Sequence, residues 1–259
     1  MIFETHAHYD DKKFDPDREQ LLSSMAENGI GTIVNIGSNM ETSRWTVDAV
    51  ERYAMMYGAV GVHPSETGDM KEADLEELRI YAKKDKIAAV GEIGLDYYWD
   101  ESERSIQKRW FEAQMNLARE VNLPMVIHSR DAAKDTKDMM KAAKAEEIGG
   151  VIHCFSYSKE MAREFLDMGF YIGIGGVVTF KNARNLKEVA EYIPLERLVL
   201  ETDSPYLSPE PKRGKRNSSL NLIYIAKEIS AIRGMDTEEL IAATEQNARR
   251  LYRMSEVSK

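Results

Sequence analysis

Short runs rich in valine and isoleucine recur along the chain, each followed by a longer stretch whose apolar residues fall three or four positions apart. The first pattern, bounded by glycine, proline or charged residues, reads as strand; the second reads as amphipathic helix. Strands are predicted over 2–8, 31–36, 57–63, 87–93, 124–128, 150–154, 170–174 and 197–203. Helices are predicted over 16–28, 41–55, 70–84, 102–121, 131–145, 158–168 and 182–192, with two closing helices over 218–233 and 236–252. Pro16 at the start of the first helix and Gly29 just past its end are good boundary signals. Alternating βα units imply parallel strands joined by right-handed crossovers. Eight such units in a chain of 259 residues fit an α/β TIM (β/α)8 barrel. An open doubly wound sheet is the competing arrangement. No linker or low-complexity tract divides the chain, so 1–259 is expected to be one domain. The segment 204–219, SPYLSPEPKRGKRNSS, reads as a loop within it.

Composition narrows the picture. Hydrophobic residues make up 43% and charged residues 31%, enough to bury a large core. No apolar run approaches the roughly 18 residues of a membrane span, and no signal peptide is visible. Cys154 is the single cysteine, so no intrachain disulfide can form. A cytoplasmic location without membrane association is the expectation. The net charge of −9 and pI near 5.2 argue against non-specific coating of nucleic acid, which needs a broad basic surface. They leave room for an enzyme that grips a few phosphates. Acidic runs such as KEADLEEL read as solvated helix faces.

The placement of histidine changes the picture most. In MIFETHAHYDD, His6 and His8 are two residues apart, and alternate strand residues share a face. Side by side they suit holding one cation. The chain has five histidines in all, and His6, His8, His63, His128 and His153 each fall at or near the carboxyl end of a predicted strand. Glu92 and Asp203 share that placement. In a βα barrel these ends converge on one mouth, where active sites lie. The expected cluster is His6, His8, Glu92, His128, His153 and Asp203, with His63 nearby. Neutral imidazole is a leading ligand for divalent metals, and buried carboxylates need partners. The donors outnumber what one four-coordinate ion can use, but suit two ions sharing a carboxylate. Two such ions, roughly 3.5–4 Å apart, clamp the attacking and leaving oxygens of a displacement at phosphorus and supply an acidified water as nucleophile.

Structural roles compete at each position. His6 and His8 could tie down a strand end, Glu92 and His128 could cap a helix, and Asp203 could cap the turn at Ser204-Pro205. His63, before Pro64, either contacts a substrate phosphate or shapes its loop. Cys154 would face away from His153, which disfavours a Cys–His dyad and makes it a small core residue. The GIGG run at 173–176 lacks dinucleotide-loop spacing. It is either a tight turn or a close backbone approach to a ligand. Lys212, Arg213, Lys215 and Arg216 follow the eighth strand and, with Arg130, are expected to bring positive charge to the mouth for an anionic substrate. The competing reading is a solvated charge run. Of Tyr97, Tyr98 and Trp99, two are expected to pack and one to be free to stack a base.

THAHYD, GVHPSE, AAVGEIGLDYY, PMVIHSRDA, VIHCFS, GGVVTFKNA, LVLETDSPYL and RGKRN together resemble, in order, the TatD family of metal-dependent deoxyribonucleases within the amidohydrolase superfamily. The resemblance implies a βα barrel with a two-metal site. His6, His8 and Asp203 would hold the first ion, and His128 and His153 the second. Glu92 would bridge them, and Asp203 would also orient or deprotonate the attacking water. His63 would sit near the substrate phosphate. The implied activity is 3′-5′ exonucleolytic hydrolysis of single-stranded DNA. Magnesium or manganese would serve turnover, with zinc possible in a purified sample, and no stable protein partner is evident. An ester or amide hydrolase, such as an aminoacyl-tRNA deacylase, is the alternative; a non-enzymatic metal scaffold is the third reading. The chain departs from the family pattern at Tyr157, where glycine is usual. It departs again at Ser218-Ser219, where an acidic residue and proline are usual. Both departures bear on substrate preference.

Overall fold

Eight parallel strands lie in sequential order in one sheet: β1 (Ile2–Ala7), β2 (Ile30–Ile36), β3 (Met56–Val60), β4 (Ile87–Asp96), β5 (Met125–Arg130), β6 (Gly150–Ile152), β7 (Tyr171–Ile174) and β8 (Leu198–Leu200). The computed structural model describes residues 1–254. The sheet closes where Ala7 bridges in parallel to Ser204, just past β8. The Asp203 N–H donates to the His6 carbonyl at 3.0 Å and the His8 N–H to the Ser204 carbonyl at 2.8 Å. This closure rules out the open doubly wound sheet. The described helices are α1 (Arg18–Ser23), α2 (Met40–Arg52), α3 (Glu72–Tyr81), α4 (Arg104–Val121), α5 (Ala133–Ala142), α6 (Lys159–Asp167), α7 (Arg184–Tyr192), α8 (Leu222–Arg233) and α9 (Thr237–Leu251).

Apolar side chains fill two regions. A large layer between strands and helices includes Ile33, Trp110, Phe111, Phe165 and Leu240. A smaller cluster joins Val34, Ile36, Ala59, Val126, Val151 and Val199 to Leu251 and Tyr252 at the end of α9. Strand alternation puts Val126 on the face of His128, and Val151 and Val199 stand two residues before His153 and Glu201, which follow the ends of β6 and β8. The polar mouth therefore stands on an apolar filling.

Several boundaries differ from the sequence expectation. β3, β6 and β8 leave the ladder at Val60, Ile152 and Leu200, so His63, His153 and Asp203 lie just beyond their strands. β4 instead runs on through Asp96. The first helix breaks at Ser24, because the Ser23 and Ser24 hydroxyls bond back to the Gln20 and Leu21 carbonyls. A separate 3-10 turn, Ala26–Asn28, follows. The last βα connection shows the same effect: a 3-10 turn, Ser219–Asn221, precedes α8.

Candidate metal centre

β1 places Glu4 and His6 on one face at the mouth, and His8 follows just past its end. The Nε2 atoms of His6 and His8 stand 3.1 Å apart. His8 Nδ1 is 2.9 Å from the Ile36 carbonyl oxygen, an acceptor only, so in the neutral ring Nδ1 carries the proton and Nε2 presents its lone pair. The register between β4 and β5 shifts between Val90 and Ile93, and Glu92 sits in that irregularity. Its two oxygens face different histidines. Oε2 is 3.4 Å from His6 Nε2 and 3.7 Å from His8 Nε2. Oε1 is 2.8 Å from His128 Nδ1, 2.8 Å from His153 Nε2 and 3.7 Å from His63 Nε2. The His153 approach is off-axis for a hydrogen bond, which leaves that nitrogen without an aligned partner. Asp203 completes the first side, its Oδ1 being 3.3 Å from His8 Nε2 and 3.7 Å from His6 Nε2.

The residues fit divalent cations. Ring nitrogens of His6 and His153 are buried with no hydrogen-bond partner, a costly state that a cation removes. His6, His8 and Asp203 form one group with donor atoms within 4.8 Å of one another, and His63, Glu92 and His128 form another. The expected cluster of six residues is thus brought together, with His63 beside it.

The structure adds two acids that the sequence reading passed over. Asp96, buried on β4, accepts from His128 Nε2 at 2.9 Å and from the N–H groups of Tyr98 and Trp99. It fixes the His128 tautomer so that Nδ1 faces Glu92. Glu201, buried beside His153, is the second. Glu201 carried a signal, since it lies two residues before Asp203 in the strand predicted over 197–203; Asp96 carried none, because the predicted strand stops at 93 and β4 runs on past it.

Charge is concentrated here. Burial works against a charged Glu92, but the imidazoles of His153 and His128 outweigh it and hold the carboxyl well below the usual range. Burial and the neighbouring His128 push His63 down to about 3, so it stays neutral. For His8, burial lowers basicity, but Asp203 and Glu92 overcome it and raise the ring to about 9. That contribution to the stability of the metal-free protein is complete below the unfolded value of about 6.5 and fades as pH rises through about 9. A cation competes with the same proton. Divalent metal affinity is therefore expected to climb with pH up to about 9, with protons released on binding. Calorimetry in two buffers of different ionisation enthalpy at pH 7 measures the release; zero protons contradicts it.

The site opens into a cavity of about 670 Å³ whose walls include Ser38, His63, Arg130, Cys154, Asp203 and Tyr206. Arg130 reaches the cavity as expected. Lys212, Arg213, Lys215 and Arg216 do not line it. Buried Asn217 pins their loop back against the barrel by donating to the Thr202 and Tyr206 carbonyls. Arg216 pairs with Asp17 at 2.6 Å, Arg213 lies over Phe180 and Lys212 lies over Tyr224. Cys154 is a wall residue and not a core residue, because its left-handed backbone (φ 47°) turns it from strand alternation. Tyr97 packs, bonded to Asp135, but both Tyr98 and Trp99 are exposed, at 55% and 59%. The Arg130 guanidinium lies 4.0 Å from the Tyr98 ring centre and 5.8 Å from that of Trp99. Tyr157 shares a hydrogen bond with Ser129 at 2.9 Å, and Ser219 is buried against the Tyr9 hydroxyl.

A closed βα barrel whose mouth gathers imidazoles and carboxylates in this way is a metal-dependent hydrolase. The model of the TatD related DNase family matches residues 3–253, and the chain belongs to that family. It is 43% identical over 255 residues to a Bacillus subtilis protein named uncharacterized metal-dependent hydrolase YabD, covering 98% of this chain and 100% of that one. It is 30% identical over 256 residues to the Citrobacter koseri protein named 3′-5′ ssDNA/RNA exonuclease TatD, covering 97% and 98%. The crystal structure of YjjV, a TatD homologue from Escherichia coli, superposes with a TM-score of 0.91 at 29% identity, covering 97% and 98%. Among the described residues, no helix is long and apolar enough to cross a membrane.

Proposed function

We propose that this hydrolase cleaves phosphodiester bonds in single-stranded DNA from the 3′ end, using two divalent cations. The observation that carries the reading is the Glu92 carboxylate, whose oxygens separately face His6/His8 and His128/His153. His6, His8 and Asp203 would hold one cation and His128 and His153 the other, with Glu92 shared. When bound, such cations withdraw charge from a phosphoryl group and make a water acidic enough to attack near neutral pH. The protein's own groups do the rest. An Asp203 carboxylate oxygen orients the attacking water and accepts its proton. His63, neutral and with Nδ1 occupied by the Ser65 N–H, offers its Nε2–H to a phosphate oxygen. Magnesium or manganese supports turnover.

A nucleic-acid strand is favoured by the exposed Tyr98–Trp99 pair on the Arg130 side of the mouth: two π-faces beside a guanidinium. The name of the Citrobacter koseri relative agrees with this. Single-stranded oligonucleotides labelled at either end, assayed across magnesium, manganese and zinc, test it. The expected result is stepwise shortening of the 5′-labelled strand. Tyr98→Ala/Trp99→Ala should raise KM roughly 5- to 100-fold with kcat little changed, since stacking contributes about 1–3 kcal/mol per base. Release of an amino acid from aminoacyl-RNA with no phosphodiester cleavage under any metal would overturn the reading in favour of ester or amide hydrolysis.

A further inference from the structure

Glu201 lies just beyond β8 and is 1% exposed. Oε1 accepts the Cys154 N–H at 2.5 Å and is 3.7 Å from His153 Nδ1. Oε2 has no hydrogen-bond partner, and neither has His153 Nδ1 or His6 Nδ1. Ring nitrogens of His6 and His153 and a Glu201 oxygen lie within 4.8 Å of one another. The two rings are stacked, 3.7 Å between centres and 10° from parallel. They come from opposite sides of the Glu92 carboxylate, so one acid stands behind a histidine from each half of the site.

Gly173 on β7 explains how the acid fits. A Cβ there would meet Glu201 Oε2 at 2.3 Å and Cδ at 2.8 Å. The Cys154 N–H anchors that carboxylate, so it has little freedom to yield. The first glycine of the GIGG run is therefore neither part of a turn nor a backbone approach to substrate; its missing side chain is the space that Glu201 occupies.

We propose that Glu201 is a positioning residue that holds His153, and the His6 ring stacked on it, in the metal-binding orientation, and that Gly173 keeps the room for it. An imidazole whose Nε2 faces a cation must carry its proton on Nδ1, and Glu201 is the buried acceptor beside that atom in His153. Asp96 already does this for His128. This rests on the two-cation reading above.

The test is zinc and manganese titration of the full-length protein, with bound ions counted by equilibrium dialysis and the metal-free fold followed by thermal melting. Glu201→Gln keeps the shape and the acceptor for Cys154 but removes the charge that makes His153 a stronger ligand. It should lose roughly 10- to 100-fold in affinity for one of the two ions, with the metal-free melting temperature moving by no more than about 4 °C. A residue that only packs would leave ion affinity unchanged. Gly173→Ala should lose the same affinity alone and nothing further when added to Glu201→Ala, where the carboxylate is gone. Wild-type affinity for both ions in Glu201→Gln, or additive losses in the double variant, overturns the proposal. Nitrogen NMR of the zinc-loaded wild-type protein needs no variant: His153 should be the Nδ1–H tautomer, and the opposite tautomer overturns the proposal. His153→Asn separates the two levels. If it binds both ions normally, the metal-centre reading itself fails. If it loses one ion while Glu201→Gln keeps both, only the role of Glu201 fails.

Discussion

Glu92→Gln is expected to cut metal-dependent turnover by roughly 10³-fold or more. The reason is that one carboxylate serves both halves of the site. Its Oε2 faces His6 and His8, its Oε1 faces His128 and His153, and it is buried. Glutamine keeps the volume but offers one acceptor oxygen and one NH2 group, and the NH2 must then face a set of imidazole nitrogens meant for a cation. Neither cation would keep its shared ligand, so both bound ions and activity should fall together. The metal-free protein should respond as well. Burial disfavours a charged His153, but Glu92 and Glu201 outweigh it and raise the ring well above its ordinary value; His128 is raised by Asp96 and Glu92 against the same opposition. A raised histidine stabilises the fold fully below its unfolded value of about 6.5 and loses that contribution as pH rises through its folded value. The variant should therefore melt lower than wild type at pH 6, with the gap narrowing as pH rises. Thermal melts of the metal-free pair across pH read this directly. Full turnover by Glu92→Gln at saturating metal would remove the bridging role.

Strand alternation and barrel closure explain what was legible in the sequence. A strand fixes direction and alternation locally, so His6 and His8 could be placed side by side from their spacing alone. The barrel's closure then brings His128, His153 and Asp203 to them without any further sequence signal. Long-range placement within loops has no such rule. The basic run at 212–216 follows β8 as expected, yet its direction is set by Asn217, which is tied to carbonyls at positions 202 and 206. Nothing in the run itself encodes that tether. Cys154 was misplaced because strand alternation stops at Ile152, and a left-handed residue follows. The exposure of both Tyr98 and Trp99 depends on Asp96 holding their backbone N–H groups, a contact visible only once the chain turns at the end of β4. Glu201 was within reach of the alternation argument through Asp203, but an acid supporting a ligand has the same spacing as an acid that is one; Asp96 was not, because its strand runs past the predicted end at 93.

Asp203→Asn is expected to lower kcat roughly 10²- to 10⁴-fold at saturating metal, the range for loss of a positioned proton acceptor. Asparagine is the right probe because Asp203 has φ 56°, in the left-handed region that Asp and Asn tolerate better than other side chains. The backbone can stay while the charge goes. Burial opposes ionisation of Asp203, but the hydrogen bond from His8 and the nearby His153 and His6 hold it below the ordinary carboxylate value. It is therefore ionised throughout pH 6–9, and the loss of kcat should be the same across that window. A second consequence separates this role from simple loss of a ligand. His8 is raised to about 9 with Asp203 as its chief partner, 3.3 Å away. Without that charge the ring returns toward neutrality at pH 7, so its share of stability below about 9 is lost and fewer protons leave when a cation binds. Calorimetry of the variant at pH 7 should show reduced proton release. Activity within tenfold of wild type, with proton release unchanged, would show that neither the water nor His8 depends on this carboxylate.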